Sequence, residues 1–217
     1  MGSLAERVFI EHVVVSTVPS QSLSICPQHW LKGARHCPSP FFNARPNNEI
    51  SLAVIHNISL PPSEFGGPHI DALFTGKLDA QAHPYFAEIA GMEVSAHVLI
   101  RRDGELVQYV AFDQRAWHAG KSTYKGRDNC NDFAIGIELE GCDDQPFSDK
   151  QYDALNELLV VLAENYPAIN GELIGHSDIA PGRKTDPGPR FDWSRVVATA
   201  PQVEALAEHI RPPGENT

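Results

Sequence analysis

With 217 residues, 42% hydrophobic and 21% charged, the chain has the bulk for one domain with a real core and an appendage. Its 28 acidic and 17 basic residues give a formal net charge of -11, which counts against nucleic acid or an anionic membrane surface as partner, since both need a basic face. No run approaches the ~20 apolar residues of a membrane span, and Cys26, Cys37, Cys130 and Cys142 form no zinc-ribbon spacing, so free thiols in a reducing compartment are expected.

Residues 1 to about 28 read as an N-terminal extension. Glu11 and His12 interrupt its apolar runs and Glu6 spoils a basic start, so it is not expected to be a secretion signal. The Pro-punctuated stretch 38–46 (PSPFFNARP) is expected to lie extended across a surface with Phe41 and Phe42 tucked in. Residues 52–56 (LAVIH) predict a buried strand with His56 at its C-terminal end, and short helical pieces follow at 69–74 and 84–90. Strands are predicted over 94–100 and 105–110, joined across Asp103 and Gly104, a pair suited to a tight turn. In 133–140 (FAIGIELE) alternation sets Ile135, Ile137 and Leu139 against Glu138 and Glu140. Ser148 and Gln151 form a capping box that opens a helix to about Tyr166, with Tyr152, Leu155, Leu158, Leu159 and Leu162 recurring at three- and four-residue steps until Pro167 stops it. Residues 173–175 then lead to His176. A last helix is expected from about Thr199, with Val203, Leu206 and Ile210 as its stripe, before a polar tail at 213–217. A hairpin combined with helical crossovers predicts an α/β fold, a mixed central β-sheet flanked by helices, in a single domain over 29–212.

Six of the ten histidines (His12, His29, His36, His69, His83 and His209) sit in loops, ends or exposed helix positions and read as solvated side chains. His56, His97, His118 and His176 lie beside apolar runs or loop motifs. His176 begins the stretch HSDIAPGRKTDPGP, in which Pro181, Pro187 and Pro189 restrict the backbone and Gly182 and Gly188 permit tight bends, so Lys184 and Asp186 can be held in fixed geometry. A hydrolytic zinc site needs three protein ligands and an open position. His56, His176 and Asp186 form a plausible set, with His97 and His118 as alternatives, although His97 reads better as a hydrogen-bonded core histidine. The HExxH helix of many metallopeptidases is absent. Periodicity does not separate Glu138 from Glu140, and Trp117 reads as a cleft-lining residue.

The segments VIHNISLPPSEFGG, VSAHVLIRRDGELVQYV, RAWHAGKS, CNDFAIGIELEG and GHSDIAPGRKTDPGPRFDW together resemble the AmpD-type 1,6-anhydro-N-acetylmuramyl-L-alanine amidases, a group related to the peptidoglycan recognition proteins. The resemblance runs in order from about Trp30 to Trp193. It implies the peptidoglycan-recognition-protein/amidase fold, a Zn2+ ion bound by His56, His176 and Asp186, and Glu138 and Lys184 as catalytic helpers. Hydrolysis of the amide between (1,6-anhydro-)N-acetylmuramic acid and L-alanine follows, in cytoplasmic recycling of wall fragments. The partner is then a small muropeptide, with no nucleic acid and no membrane, and the chain is expected to be a monomer. Asn57 and Trp117 are the candidate substrate contacts. Relatives commonly carry a basic residue just before VSAH and another just before CND, where this chain has Glu93 and Asn129, leaving Arg101, Arg102 and Arg127 as candidate anchors for peptide carboxylates. A non-catalytic wall-binding module on this fold would be expected to lack a zinc ligand, and an exported amidase acting on intact wall to carry a clear leader or wall-binding repeat.

Overall fold

The computed structural model describes residues 23–196; the helix expected after Thr199 and the first 22 residues of the extension lie outside the described residues. In chain order the strands begin with β1 (Ser24–Ile25), β2 (Leu31–Lys32), β3 (Arg35–His36), β4 (Phe42–Ala44) and β5 (Leu52–Ile58). Helices α1 (His69–Phe74) and α2 (Phe86–Ile89) precede β6 (Val98–Ile100), β7 (Leu106–Gln108), β8 (Gln114–Ala116), β9 (Thr123–Tyr124), β10 (Arg127–Asp128) and β11 (Ala134–Glu140). Helix α3 (Asp149–Asn165), β12 (Leu173–Gly175) and α4 (His176–Ile179) follow, and a short 3-10 turn at Trp193–Arg195 comes last among the described residues.

A six-stranded mixed sheet with the order β12-β5-β11-β6-β7-β3 organises the domain, as expected for a single α/β unit. Its centre is parallel. β11 pairs with β5 over seven residues, including Glu138 beside His56, and β12 flanks β5 on the other side, whereas β6 and β7 form the predicted antiparallel hairpin. The strand expected over 94–100 keeps only Val98–Ile100 in the ladder. Its first half leaves because Ser95 donates its N–H to Trp117 O and its hydroxyl to Phe41 O.

Both faces of the central strands are covered, as parallel strands require. Ala53 and Ile55 of β5 and Ile135, Ile137 and Leu139 of β11 pack with Leu155, Leu158, Leu159 and Leu162 of α3. Ser148 and Gln151 form the predicted capping box, and the same Gln151 amide donates to Ile100 O (3.1 Å) and Glu140 O (2.9 Å), tying the helix start to the ends of β6 and β11. Tyr166 caps α3 just before Pro167. The opposite sheet face carries Leu52 and Val54 against Ala119, Cys130, Phe133 and Ile179, and Leu99 against α1 and α2. That face presents His56 and Glu138 by alternation.

One sequence expectation fails in 38–46. Phe42 is exposed, as are Asn43 and Ala44 of the same short strand β4, which pairs with β8 at the surface, while Phe41 stacks on Trp117. Among the described residues no helix is long and apolar enough to cross a membrane.

Glu140 is a structural acid. Its Oε1 accepts from Gly66 N–H (2.7 Å) and Arg101 Nη1 (3.3 Å), its Oε2 from Arg102 N–H (3.1 Å), and it is fully shielded from solvent. Removing one partner of a buried ion pair strands the other. Glu140→Ala should therefore lower the unfolding free energy by about 3 kcal/mol, the low end for such pairs, because Arg101 keeps Asp71 and Glu105. Urea denaturation checks this; an unchanged midpoint would contradict it.

Candidate metal centre and cleft

Sequence separations of 120 and 130 residues close at the C-terminal ends of β5 and β12. His56 Nδ1 lies 3.0 Å from His176 Nδ1 and 3.1 Å from Asp186 Oδ2, and His176 Nδ1 lies 2.9 Å from Asp186 Oδ2. Local chemistry explains the convergence. Gly175 N–H donates to Asp178 Oδ2, starting α4 at His176, and Ser177 N–H donates to Asp186 O, folding the loop back. A Cβ on Gly175 would come within 2.8 Å of Pro187 Cδ, so only glycine lets the proline after Asp186 pack against the residue before His176.

Two imidazole nitrogens and a carboxylate oxygen, all within 4.8 Å of one another, form a donor set that can hold a metal ion. At metal–ligand bonds near 2.0–2.1 Å, tetrahedral ligand atoms stand about 3.3 Å apart, close to the spacings seen. Burial pushes the His56 imidazolium down to about 4, so the ring is neutral and its lone pair available at neutral pH. Burial by itself raises the Asp186 carboxyl, but the facing rings of His176 and His56 outweigh it and hold the group well below the usual carboxylate range. Among the described residues this cluster includes neither His97 nor His118. His97 is fully buried, accepts Gly136 N–H on Nδ1 and faces Gln114 O with Nε2, which is the core role read from the sequence.

The centre opens into a cleft of about 480 Å³, within the range of small-molecule sites. Glu138, Lys184, Asn57 and Trp117 all line it, as do Asp143, Cys142 and Arg183, which the sequence reading did not single out. Arg183 stood next to Lys184 in the loop already noted, so adjacency was its signal; Asp143 had none. Glu138 differs sharply from Glu140. Its Oε2 is buried without a hydrogen-bond partner, and burial, then the Asp186 charge, raise its carboxyl well above the usual range against the opposing pull of Lys184. Asn57 donates both amide hydrogens internally, to Asp143 Oδ1 (2.8 Å) and Pro187 O (3.0 Å), leaving its carbonyl oxygen to meet a ligand. Trp117 Nε1 donates to Asn43 Oδ1, which fixes the indole at the cleft wall.

The candidate carboxylate anchors point elsewhere. Arg101 pairs with Asp71, Glu105 and Glu140, Arg102 donates to Pro146 O and covers Phe65, and Arg127 pairs with Glu49. Glu93 and Asn129 are both exposed, and Asn129 adopts φ 59°, a left-handed conformation that asparagine tolerates. Among the described residues, the cations on the cleft wall are Arg183 and Lys184.

Fold and site together define an α/β domain with a candidate metal centre at its parallel strand ends. The chain belongs to the N-acetylmuramoyl-L-alanine amidase family, whose pattern matches residues 46–189. It is 63% identical over 169 residues to the 1,6-anhydro-N-acetylmuramyl-L-alanine amidase AmpD of Escherichia coli (strain K12), covering 77% of this chain and 92% of that protein. The crystal structure of a selenomethionine AmpD derivative superposes with a TM-score of 0.78 at 60% identity, over 79% of this chain and 97% of that one. A complex of the E. coli amidase AmiD with anhydro-N-acetylmuramic acid-L-Ala-D-gamma-Glu-L-Lys aligns at 27% identity and a TM-score of 0.51, over 81% and 64% of the two chains.

A carboxyl raised by burial binds a proton in the folded protein at pH values where the unfolded chain has released it, so its contribution to stability falls as pH rises from about 4.3 through the folded value. Glu138→Gln should thus raise the Tm of the metal-stripped protein at pH 7 and leave it nearly unchanged at pH 4. Calorimetry at the two pH values reads this; equal Tm at pH 7 would show that Glu138 is not strained by burial.

Proposed function

We propose that this chain is a zinc-dependent N-acetylmuramoyl-L-alanine amidase, cleaving the amide between 1,6-anhydro-N-acetylmuramic acid and the L-alanine of the stem peptide in cytoplasmic muropeptide recycling. The catalytic domain is taken as 29–212. The observation that carries the reading is a buried, unpartnered carboxylate, Glu138, set beside a His–His–Asp donor set in one cleft. The names of the relatives and of the anhydromuramyl-peptide complex support the substrate class.

His56 and His176 through Nδ1 and Asp186 through Oδ2 would hold the ion. When bound, zinc supplies a Lewis acid that brings the pKa of a water to about 7 and polarises a carbonyl. Glu138 takes a proton from the attacking water onto a carboxylate oxygen as the water oxygen bonds to the lactyl carbonyl carbon. It returns that proton to the alanine nitrogen as the C–N bond breaks, leaving a lactyl carboxyl group and a free peptide amine. Burial suits this work, since raising the carboxyl well above the usual range makes Glu138 a stronger base than a solvated glutamate. Lys184 Nζ faces the oxyanion of the tetrahedral stage, a contribution of about 100- to 1000-fold in rate for groups of this kind. Asn57, through its carbonyl oxygen, and Trp117, through its ring face, meet the peptide and sugar. Arg183, whose Nη2 donates to Ala119 O and Lys121 O, turns its remaining guanidinium N–H groups to a stem-peptide carboxylate.

Metal analysis coupled to release of peptide from anhydro-muropeptide tests the reading. Wild type should hold one zinc per chain and lose activity on chelation, and Asp186→Ala should lose both metal and activity. A zinc-free, inactive wild type ends the enzyme reading, and preference for intact peptidoglycan in competition would favour the wall-acting alternative. Arg183→Ala should raise KM about tenfold with little change in kcat, the signature of lost uniform binding; a fall in kcat alone would assign Arg183 a different role.

A further inference from the structure

Each histidine of the donor set turns one ring nitrogen toward the cluster and the other toward residues 118–119. His176 Nε2 faces Ala119 O at 3.1 Å, and His56 Nε2 lies 3.0 Å from His118 Nδ1 with the two rings edge to face. We propose that His118 is the positioning residue of the metal centre: its Nδ1 accepts the Nε2–H of His56 and holds that ring with its Nδ1 lone pair aimed at His176 and Asp186. The proposal rests on the zinc reading above.

The proton count supports it. Nδ1 of His56 must be unprotonated to bind a cation, so the ring proton is on Nε2 and needs an acceptor; His118 Nδ1 is the atom in reach. Metal-bound histidines are oriented through their second nitrogen in this way. Accepting on Nδ1 puts the His118 proton on Nε2, an atom shielded from solvent with no hydrogen-bond partner. That orphaned position is what remains when the ring is turned to serve His56.

The seat of His118 is built around the same orientation. A Cβ on Gly136 would lie 2.4 Å from His118 Cγ and 2.6 Å from Nδ1, so the ring rests on the bare backbone of β11, two residues before Glu138. His97, locked by Gly136 N–H, packs edge-on against the ring at 5.7 Å. The buried Asn131 Oδ1 accepts from both His118 N–H (3.1 Å) and Ala119 N–H (2.8 Å). One side chain therefore pins the partners of both histidine ligands.

Zinc affinity of the full chain, read by competition with a chromophoric chelator, tests the proposal. His118→Leu removes the acceptor, Gly136→Ala keeps every polar atom but displaces the ring, and His118→Asn places an amide oxygen near the Nδ1 position. The Leu and Ala variants should bind zinc about 10- to 100-fold more weakly and the Asn variant within about threefold of wild type. Wild-type affinity in the folded Leu and Ala variants overturns the proposal, as does an Asn variant as weak as Leu. Should His118→Leu not fold, the long-range 1H–15N spectrum of zinc-loaded wild type decides: a proton on His118 Nε2 is expected, and one on Nδ1 overturns it. Failure of wild type to bind zinc, or zinc retained by Asp186→Ala, would instead sink the ligand assignment beneath it.

Discussion

The parallel pairing of β5 with β11 places His56 beside Glu138, and most of the site follows from that register. Strand side chains alternate, so the pairing also commits Ile55, Ile137 and Leu139 to the opposite face, under α3. A slip of one residue would drive an imidazole and a carboxylate into that leucine layer, where neither has a partner. The hydrophobic demand of α3 thus protects the chemistry on the far face. β12, paired with β5 on its other edge, then delivers His176 to the same strand ends.

Glu138 and Glu140 show how environment divides two acids on one face of one strand. Glu140 meets two backbone N–H groups and Arg101, and it fastens the loop after β5 and the β6–β7 turn to the sheet. Glu138 has an unpartnered oxygen in the cleft. Burying a carboxylate that way destabilises the fold, and such sites are where proteins give up stability for chemistry.

The segment from Gly175 to Gly188 joins a donor pair to a cationic rim. Pro187 against Gly175 and Asp186 O against Ser177 N–H close it into a compact loop. Arg183 is held by Ala119 O and Lys121 O, which binds the loop to the segment that also carries His118. In a chain of net charge -11, two neighbouring cations on one wall of the cleft provide a local attraction for an anionic ligand that the overall charge opposes.

Much of this was legible from residues alone. The capping box at Ser148, the stop at Pro167, helix α1 and the alternation in β11 are local signals, and local signals survive folding because they act within a few residues. The dense Pro and Gly pattern after His176 marked the loop, and the family motifs marked His56, His176 and Asp186. Periodicity reports which face a side chain occupies, not which groups arrive opposite it from other elements. For that reason only the tertiary structure decided that Glu140 is satisfied and Glu138 is not, that Arg101, Arg102 and Arg127 are already engaged, and that the amide hydrogens of Asn57 are spent. It also showed why Gly136 is glycine: the ring of His118, 18 residues earlier, lies where its side chain would be.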